Sequence, residues 1–85
     1  MERRTVRKQC SGIFQITKNI ITGLPGGHKT QLRESLNAIK STVLTDREKE
    51  VLETCRQELR NGGEYDLSNL VYETYRGTNS APNLF

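Results

Sequence analysis

The side chains best suited to nucleophilic or metal chemistry are His28, the only histidine, and the two cysteines, Cys10 and Cys55. A thiol nucleophile needs a base positioned beside it, and His28 is the only imidazole in the chain. Long stretches separate these three residues, so they match none of the usual spacings of zinc ligands. We therefore expect neither a catalytic cysteine–histidine pair nor a metal site, and we expect no cofactor.

A second candidate for chemistry is segment 23–30, GLPGGHKT, which ends in a basic residue and a hydroxyl as phosphate-binding loops do. His28 stands between Gly27 and Lys29, so the spacing GxxxxGK[ST] is absent, and no clear strand precedes the segment. The acidic side chains between residues 46 and 58 alternate with basic ones, which is typical of a salt-bridged helix surface. The sequence thus predicts a protein that is not an enzyme.

Length and composition limit the chain to one small domain. Of its 85 residues 33% are hydrophobic and none is tryptophan, so the core is modest and stability is marginal. Self-association is the simplest source of further stability, and we predict a homodimer. Both cysteines lie among apolar residues, which favours buried thiols in a reducing compartment, although a single disulfide between them stays open.

The sequence contains no apolar run near the roughly 20 residues that span a bilayer. Its basic N-terminus lacks the continuous apolar centre of a secretory signal. We therefore expect an intracellular protein, cytoplasmic or nuclear, with no membrane span. An organelle transit peptide, which is amphipathic and rich in arginine, is the alternative interpretation of the N-terminus.

Apolar residues recur at steps of three and four between two glycine-rich breaks, at residues 25–27 and 61–63. This period predicts an all-α fold, a small bundle of three to four helices with short connections. The first helix runs from about Arg3 to Leu24 and ends because of Pro25. A strand in the β-branched segment 12–23 is the main alternative. The predicted apolar stripe of this helix comprises Val6, Cys10, Ile13, Ile16, Ile20, Ile21 and Leu24.

The second helix is expected from about Lys29 to Leu44, with Val43 on its apolar face. Thr45 and Glu48 form a capping box that begins the third helix, so the two helices either meet at a sharp angle or merge into one bent helix. The double glycine at 62–63 ends the third helix. We predict one helical domain over 1–76 and a flexible tail over 77–85. Asp66 is expected to cap a short fourth helix with Leu67, Leu70, Val71 and Tyr75 turned inward.

Charge is unevenly distributed along the chain. Residues 1–44 carry eight basic and two acidic side chains, whereas residues 45–85 carry five and eight, so a net charge of +3 divides into +6 and −3. Such asymmetry favours an acidic partner for the first half. It equally favours contact between the two halves, within one molecule or between two.

Helical geometry aligns much of the basic charge. Polar residues of the first helix form a line about 20 Å long opposite the isoleucines, and three cations of the second helix share one side. Cations release counterions from a phosphate backbone, while hydroxyl and amide groups donate to its oxygens. The line has no aromatic platform, which favours duplex RNA or DNA over a single strand. The predicted nucleic-acid-binding residues are Arg4, Arg7, Lys8, Ser11, Gln15, Lys18, Lys29, Arg33 and Lys40.

A protein target for the third and fourth helices is the alternative function. Tyrosine suits interfaces because it combines a large contact area with a polar tip, and the predicted protein-interface residues are Tyr65, Tyr72 and Tyr75. Segment 55–75, CRQELRNGGEYDLSNLVYETY, resembles the C-terminal part of flagellar-type anti-sigma factors, in which two helices joined by an Asn-Gly turn clasp a sigma factor. The resemblance covers about a quarter of the chain. The double glycine and the N-terminal helices depart from that family's pattern.

Small size, charge asymmetry and the lack of a catalytic motif also suit a viral or phage regulatory protein. Helical duplex-RNA binders that protect viral RNA from host silencing are of this type. The analogy rests on no matched motif. The resulting hypothesis is a non-enzymatic helical dimer that grips duplex nucleic acid through its basic first half.

Overall fold

The computed structural model describes residues 3–40 and 42–78, with the side chains of 4–40 and 42–76. Four α-helices make up most of this part of the chain: α1 (Arg3–Ile21), α2 (His28–Ile39), α3 (Asp46–Asn61) and α4 (Tyr65–Thr78). No strand is present among the described residues, and segment 12–21 lies within α1. The predicted all-α class with four helices is therefore confirmed.

The helices form two hairpins that lie side by side. Helix α1 packs against α2 and α3, and α4 packs against α3 and α2. Going round the bundle the order is thus α1, α2, α4, α3, so that α2 and α3 occupy a diagonal. Residues 40–45 make this diagonal connection. As a consequence, the groove between α1 and α3 and the groove between α2 and α4 lie on opposite sides of the molecule.

A single apolar cluster fills the centre of the bundle and draws on every helix. The predicted stripes supply most of it, and Thr17 of α1 is also buried although its side chain is polar. Two members of the α1 stripe lie outside the core at the end of the helix, where Ile21 is exposed and Leu24 is 53% exposed. The buried hydrophobic residues are Val6, Cys10, Ile13, Leu32, Leu36, Ile39, Leu44, Leu52, Cys55, Leu59, Leu67 and Val71.

Helix α1 ends at a left-handed glycine. Gly23 has φ +76°, its amide donates to the Ile20 carbonyl, and the Leu24 amide donates to the Asn19 carbonyl, both at 3.0 Å. This pair of bonds defines a Schellman motif, which satisfies the last carbonyl groups of a helix. The prediction that Pro25 ends α1 is wrong, because α1 ends at Ile21, four residues earlier, and the turn at Gly23 closes it.

Helix α3 ends in the same way, as the double glycine predicts. Gly63 has φ +85°, and the Glu64 amide donates to the Leu59 carbonyl at 2.8 Å. At the other end of α3 the capping box is confirmed: the Thr45 amide donates to the Glu48 carboxylate at 2.8 Å, and the Glu48 amide donates to the Thr45 hydroxyl at 3.2 Å. Helix α4 begins at Tyr65, one residue before the predicted cap Asp66.

The connection between α2 and α3 differs from the prediction. Helix α2 ends at Ile39 instead of near Leu44, so the helices neither merge nor meet directly. Val43 is 72% exposed, whereas Leu44 is buried and contributes to the core. The reason is that residues 42–45 leave the helical path, which turns the Leu44 side chain inward in place of Val43. Helix α4 extends to Thr78, and residues 79–85 of the predicted tail lie outside the described residues.

Candidate nucleic-acid interface

The outward face of α1 carries the predicted line of cations and short polar groups. Arg4, Lys8, Ser11 and Gln15 are all exposed, while the opposite side of the helix packs into the core. Helix α1 contains five basic residues and no acidic residue in its 19 positions. This face therefore carries cations and neutral polar groups, with no carboxylate of its own helix to neutralise them.

Two further predicted residues of α1 lie toward α3. Arg7 is exposed and lines the groove between α1 and α3, together with Arg47 and Val51. The Lys18 ammonium lies 4.9 Å from the centre of the Phe14 ring, a cation–π contact. Phe14 is half-buried and packs against the core. The α1 part of the predicted site thus forms one surface that turns toward α3.

The three predicted cations of α2 lie near acidic side chains. Lys29 forms an ion pair with Glu64 at 3.2 Å. Arg33 and Lys40 line the groove between α2 and α4, about 360 Å³ in volume, which Glu73 also lines. These cations therefore have acidic neighbours that the outward face of α1 lacks, and their role in extending the α1 surface stays a prediction.

The exposed Arg47 side chain is the functional candidate that the sequence prediction missed. It lies in the first turn of α3, in the half of the chain with net negative charge. The fold nevertheless places it in the same groove as Arg7 and Ser11. No signal in the sequence identifies Arg47, since its position depends on α3 packing beside α1.

The predicted tyrosine surface is divided between packing and exposure. Tyr75 is half-buried and its hydroxyl donates to the Glu53 carboxylate. Tyr72 makes an edge-to-face contact with Tyr75, with ring centres 5.5 Å apart. The Arg56 and Arg76 guanidinium groups lie 5.4 and 5.7 Å from the centre of the Tyr72 ring. Tyr75 thus contributes mainly to the contact between α3 and α4.

Burial and hydrogen bonds within this cluster shift the pKa values of Glu53 and Tyr75, and the Glu53 carboxylate raises the pKa of Arg56. Hydrogen bonds from Arg56 lower the pKa of Glu53 to about 2, with help from the Tyr75 hydroxyl and the Gln57 amide. Burial and the hydrogen bond to the Glu53 carboxylate together raise the pKa of Tyr75 to about 12. The carboxylate and the neutral phenol are therefore the stable forms at neutral pH, and neither is suited to proton transfer. The cluster links the two helices.

The candidate nucleophiles are buried inside the bundle. Cys10 and Cys55 are not joined in a disulfide, and both have almost no exposed surface. Burial raises the pKa of Cys55 to about 11, although the Thr17 hydroxyl opposes this shift. His28 lies at the start of α2, where its Nε2 donates to the Pro25 carbonyl at 3.1 Å. Within the described residues no three metal-binding side chains cluster.

Comparison with known protein families, with characterised proteins and with solved structures finds no match to this chain. In the part of the chain that the structure describes, no helix has both the length and the apolar character needed to cross a membrane. Functional inference therefore depends on the surfaces of the bundle. Of these, the face of α1 has the most uniform charge.

Proposed function

We propose that this protein binds the phosphate backbone of duplex nucleic acid through the outward face of α1. The observation that carries the proposal is the absence of any acidic residue from α1, whose five basic residues include the exposed Arg4 and Lys8. Surface cations close to phosphates release condensed counterions, and this release supplies most of the affinity for a nucleic-acid backbone. The function is one of binding and regulation, without catalysis.

The shape of the α1 surface favours a duplex. From Arg4 to Lys18 the helix spans about 21 Å, which is long enough to follow several successive phosphates. Single-strand binding proteins stack bases on exposed aromatic rings, whereas Phe14, the aromatic residue of α1, is half-buried beneath Lys18. We therefore place a double helix on this face, recognised by shape and backbone. Duplex RNA is the preferred form because its broad, shallow groove exposes the backbone to a convex helix.

The test is a gel-shift titration of duplex RNA, duplex DNA and single strands at several salt concentrations. Four α1 cations, Arg4, Arg7, Lys8 and Lys18, predict a slope of log affinity against log salt of about −4 per chain. The double variant R4E/K8E should weaken duplex binding by about tenfold or more, because it removes two phosphate contacts and adds repulsion.

A matched control is available on α2. The double variant R33E/K40E changes net charge by the same amount, but its residues face the groove shared with α4. It should alter duplex affinity by less than about threefold. Equal losses from both double variants would show that only net charge matters, and the absence of duplex binding by the native protein at low salt would refute the proposal.

A protein partner is the second candidate, and the exposure of Tyr65 favours it. The Tyr65 side chain is 60% exposed at the start of α4. Ile21 and Leu24, both exposed, lie at the same end of the bundle, because the turns after α1 and α3 are at that end. An exposed aromatic residue near exposed aliphatic ones is a common feature of interface anchors. If duplex binding fails, this end of the bundle becomes the preferred surface.

A further inference from the structure

The groove between α1 and α3 brings together charge from both halves of the chain. One cavity of about 510 Å³ is lined by Arg7 and Ser11 of α1 and by Arg47 and Val51 of α3. An adjoining cavity of about 550 Å³ shares Ser11, Arg47 and Val51 and includes Phe14. The groove therefore combines two guanidinium groups and a hydroxyl with apolar side chains.

The two arginines are available to a ligand. Both are exposed, and within the described residues neither forms an ion pair. The acidic Glu48 also lines the groove, but it is buried and its Oε1 accepts the Thr45 amide in the capping box. Glu50 lines only the adjoining cavity. The cavity thus contains two exposed guanidinium groups and one buried carboxylate that is hydrogen-bonded in the capping box.

From this arrangement we infer that Arg7, Arg47 and Ser11 form a clamp for one phosphate group of the bound strand. Each arginine can donate two parallel hydrogen bonds to phosphate oxygens, and the serine hydroxyl can donate one more. The inference rests on the proposed function and deepens it, because it extends the nucleic-acid surface from α1 onto α3. Arg47, from the acidic half of the chain, then completes a site that α1 begins.

The experiment is a double-mutant cycle on duplex binding with R7Q, R47Q and the combined variant, all checked for native helicity by circular dichroism. R47Q should weaken binding about three- to tenfold and lower the salt slope by less than one, because Arg7 still neutralises the shared phosphate. The combined variant should lose less than the product of the single losses, because both arginines hold the same phosphate. R60Q, at the far end of α3, is the matched control and should bind as the native protein does.

Two duplexes of one sequence, with 5′-phosphate or 5′-hydroxyl ends, identify the source of the phosphate. If R47Q loses the same affinity for both duplexes, the bound phosphate is an internal phosphodiester. If it loses affinity only for the phosphorylated duplex, the bound phosphate is the terminal group. If R47Q binds like R60Q while R4E/K8E abolishes binding, the clamp is overturned and the proposed function survives. If the native protein binds no duplex, both are overturned. Strictly multiplicative losses in the combined variant would also overturn a shared phosphate.

Discussion

Glu53 is the most heavily hydrogen-bonded side chain at the contact between α3 and α4. It accepts hydrogen bonds from Arg56 Nε at 3.0 Å, from Gln57 Nε2 at 3.1 Å and from the Tyr75 hydroxyl. Charge-assisted bonds of this kind stabilise the ionised carboxylate, which is why its pKa lies near 2. The Tyr75 bond joins the two helices, so protonation of Glu53 weakens their contact.

This coupling predicts an acid-sensitive part of the stability. The folded-state pKa of Glu53 is lower than its ordinary value of 4.5, so the stabilisation is present above pH 4.5 and is lost as pH falls toward 2. E53Q should reduce the free energy of unfolding at pH 7 by about 1 kcal/mol. The expected loss is no larger because Glu53 is partly exposed, and solvent weakens its interactions with Arg56 and Tyr75. Urea unfolding at pH 7 and at pH 3 measures both effects.

E50Q is the matched control for this experiment. Glu50 lies on the same helix and is exposed, so its replacement should change stability by less than about 0.5 kcal/mol at either pH. The difference in stability between the native protein and E53Q should shrink as pH falls. A constant difference at both pH values would contradict the assigned role of the Glu53 carboxylate.

At the scale of residues, the sequence predicts helical faces well and lateral neighbours poorly. The exposure of Arg4 and Lys8 and the burial of Ile13 follow from helical period alone. The position of Arg47 beside Arg7 and the pairing of Lys29 with Glu64 depend on which helices are adjacent. Periodicity within one helix carries no information about that adjacency, so these features are visible only in the folded chain.

Among the elements, the glycine turns after α1 and α3 form the most informative pair. Gly23 and Gly63 both adopt left-handed conformations that close Schellman motifs. The second turn also positions Glu64, whose carboxylate pairs with Lys29 at 3.2 Å. The geometry of the turn after α3 thus gives Lys29, a predicted binding residue, an acidic partner.

The left-handed conformation predicts a clear cost for a side chain at Gly63. G63A should lower the free energy of unfolding by about 1 kcal/mol, because a Cβ atom disfavours positive φ. An ideal Cβ at this position meets nothing within 4 Å, so the loss arises from the backbone alone. Chemical denaturation at neutral pH measures the change.

G12A provides the opposite control. Gly12 lies inside α1 with nothing within 4 Å of an ideal Cβ. Alanine is favoured over glycine in a helix interior, so this variant should gain about 0.5–1 kcal/mol. A loss of stability in G12A, or no loss in G63A, would contradict the described ends and interior of these helices.

The boundaries of the elements were predictable where local chemistry decides them. The sequence alone identifies the capping box at Thr45 and the glycine stop at Gly63, because each depends on hydrogen bonds between residues close in sequence. The end of α2 was misplaced by about one turn because Val43 continues the apolar period of that helix. Burial of Leu44 overrides this local pattern, since the diagonal connection to α3 needs an apolar anchor in the core.

For the molecule as a whole, the fold segregates charge more sharply than the sequence alone does. The α2 cations Lys29, Arg33 and Lys40 lie near Glu64 and Glu73, whereas α1 carries no acidic residue. Contact between the two halves of the chain therefore involves α2. Attraction of an acidic partner to α1 stays a prediction.

Self-association is the remaining prediction at this scale. Each chain of 9.7 kDa exposes large apolar side chains at both ends of the bundle, Val43 at 72% and Leu24 at 53%. Burying such groups between two copies would add stability that a core of this size lacks. Light scattering should therefore give twice the chain mass, and the thermal midpoint should rise with protein concentration because dissociation and unfolding are linked.

A dimer would also present two α1 faces, so the salt slope should approach about −8 per duplex-bound dimer. A mass of one chain at every concentration, with a concentration-independent midpoint, would contradict the dimer and leave a slope near −4.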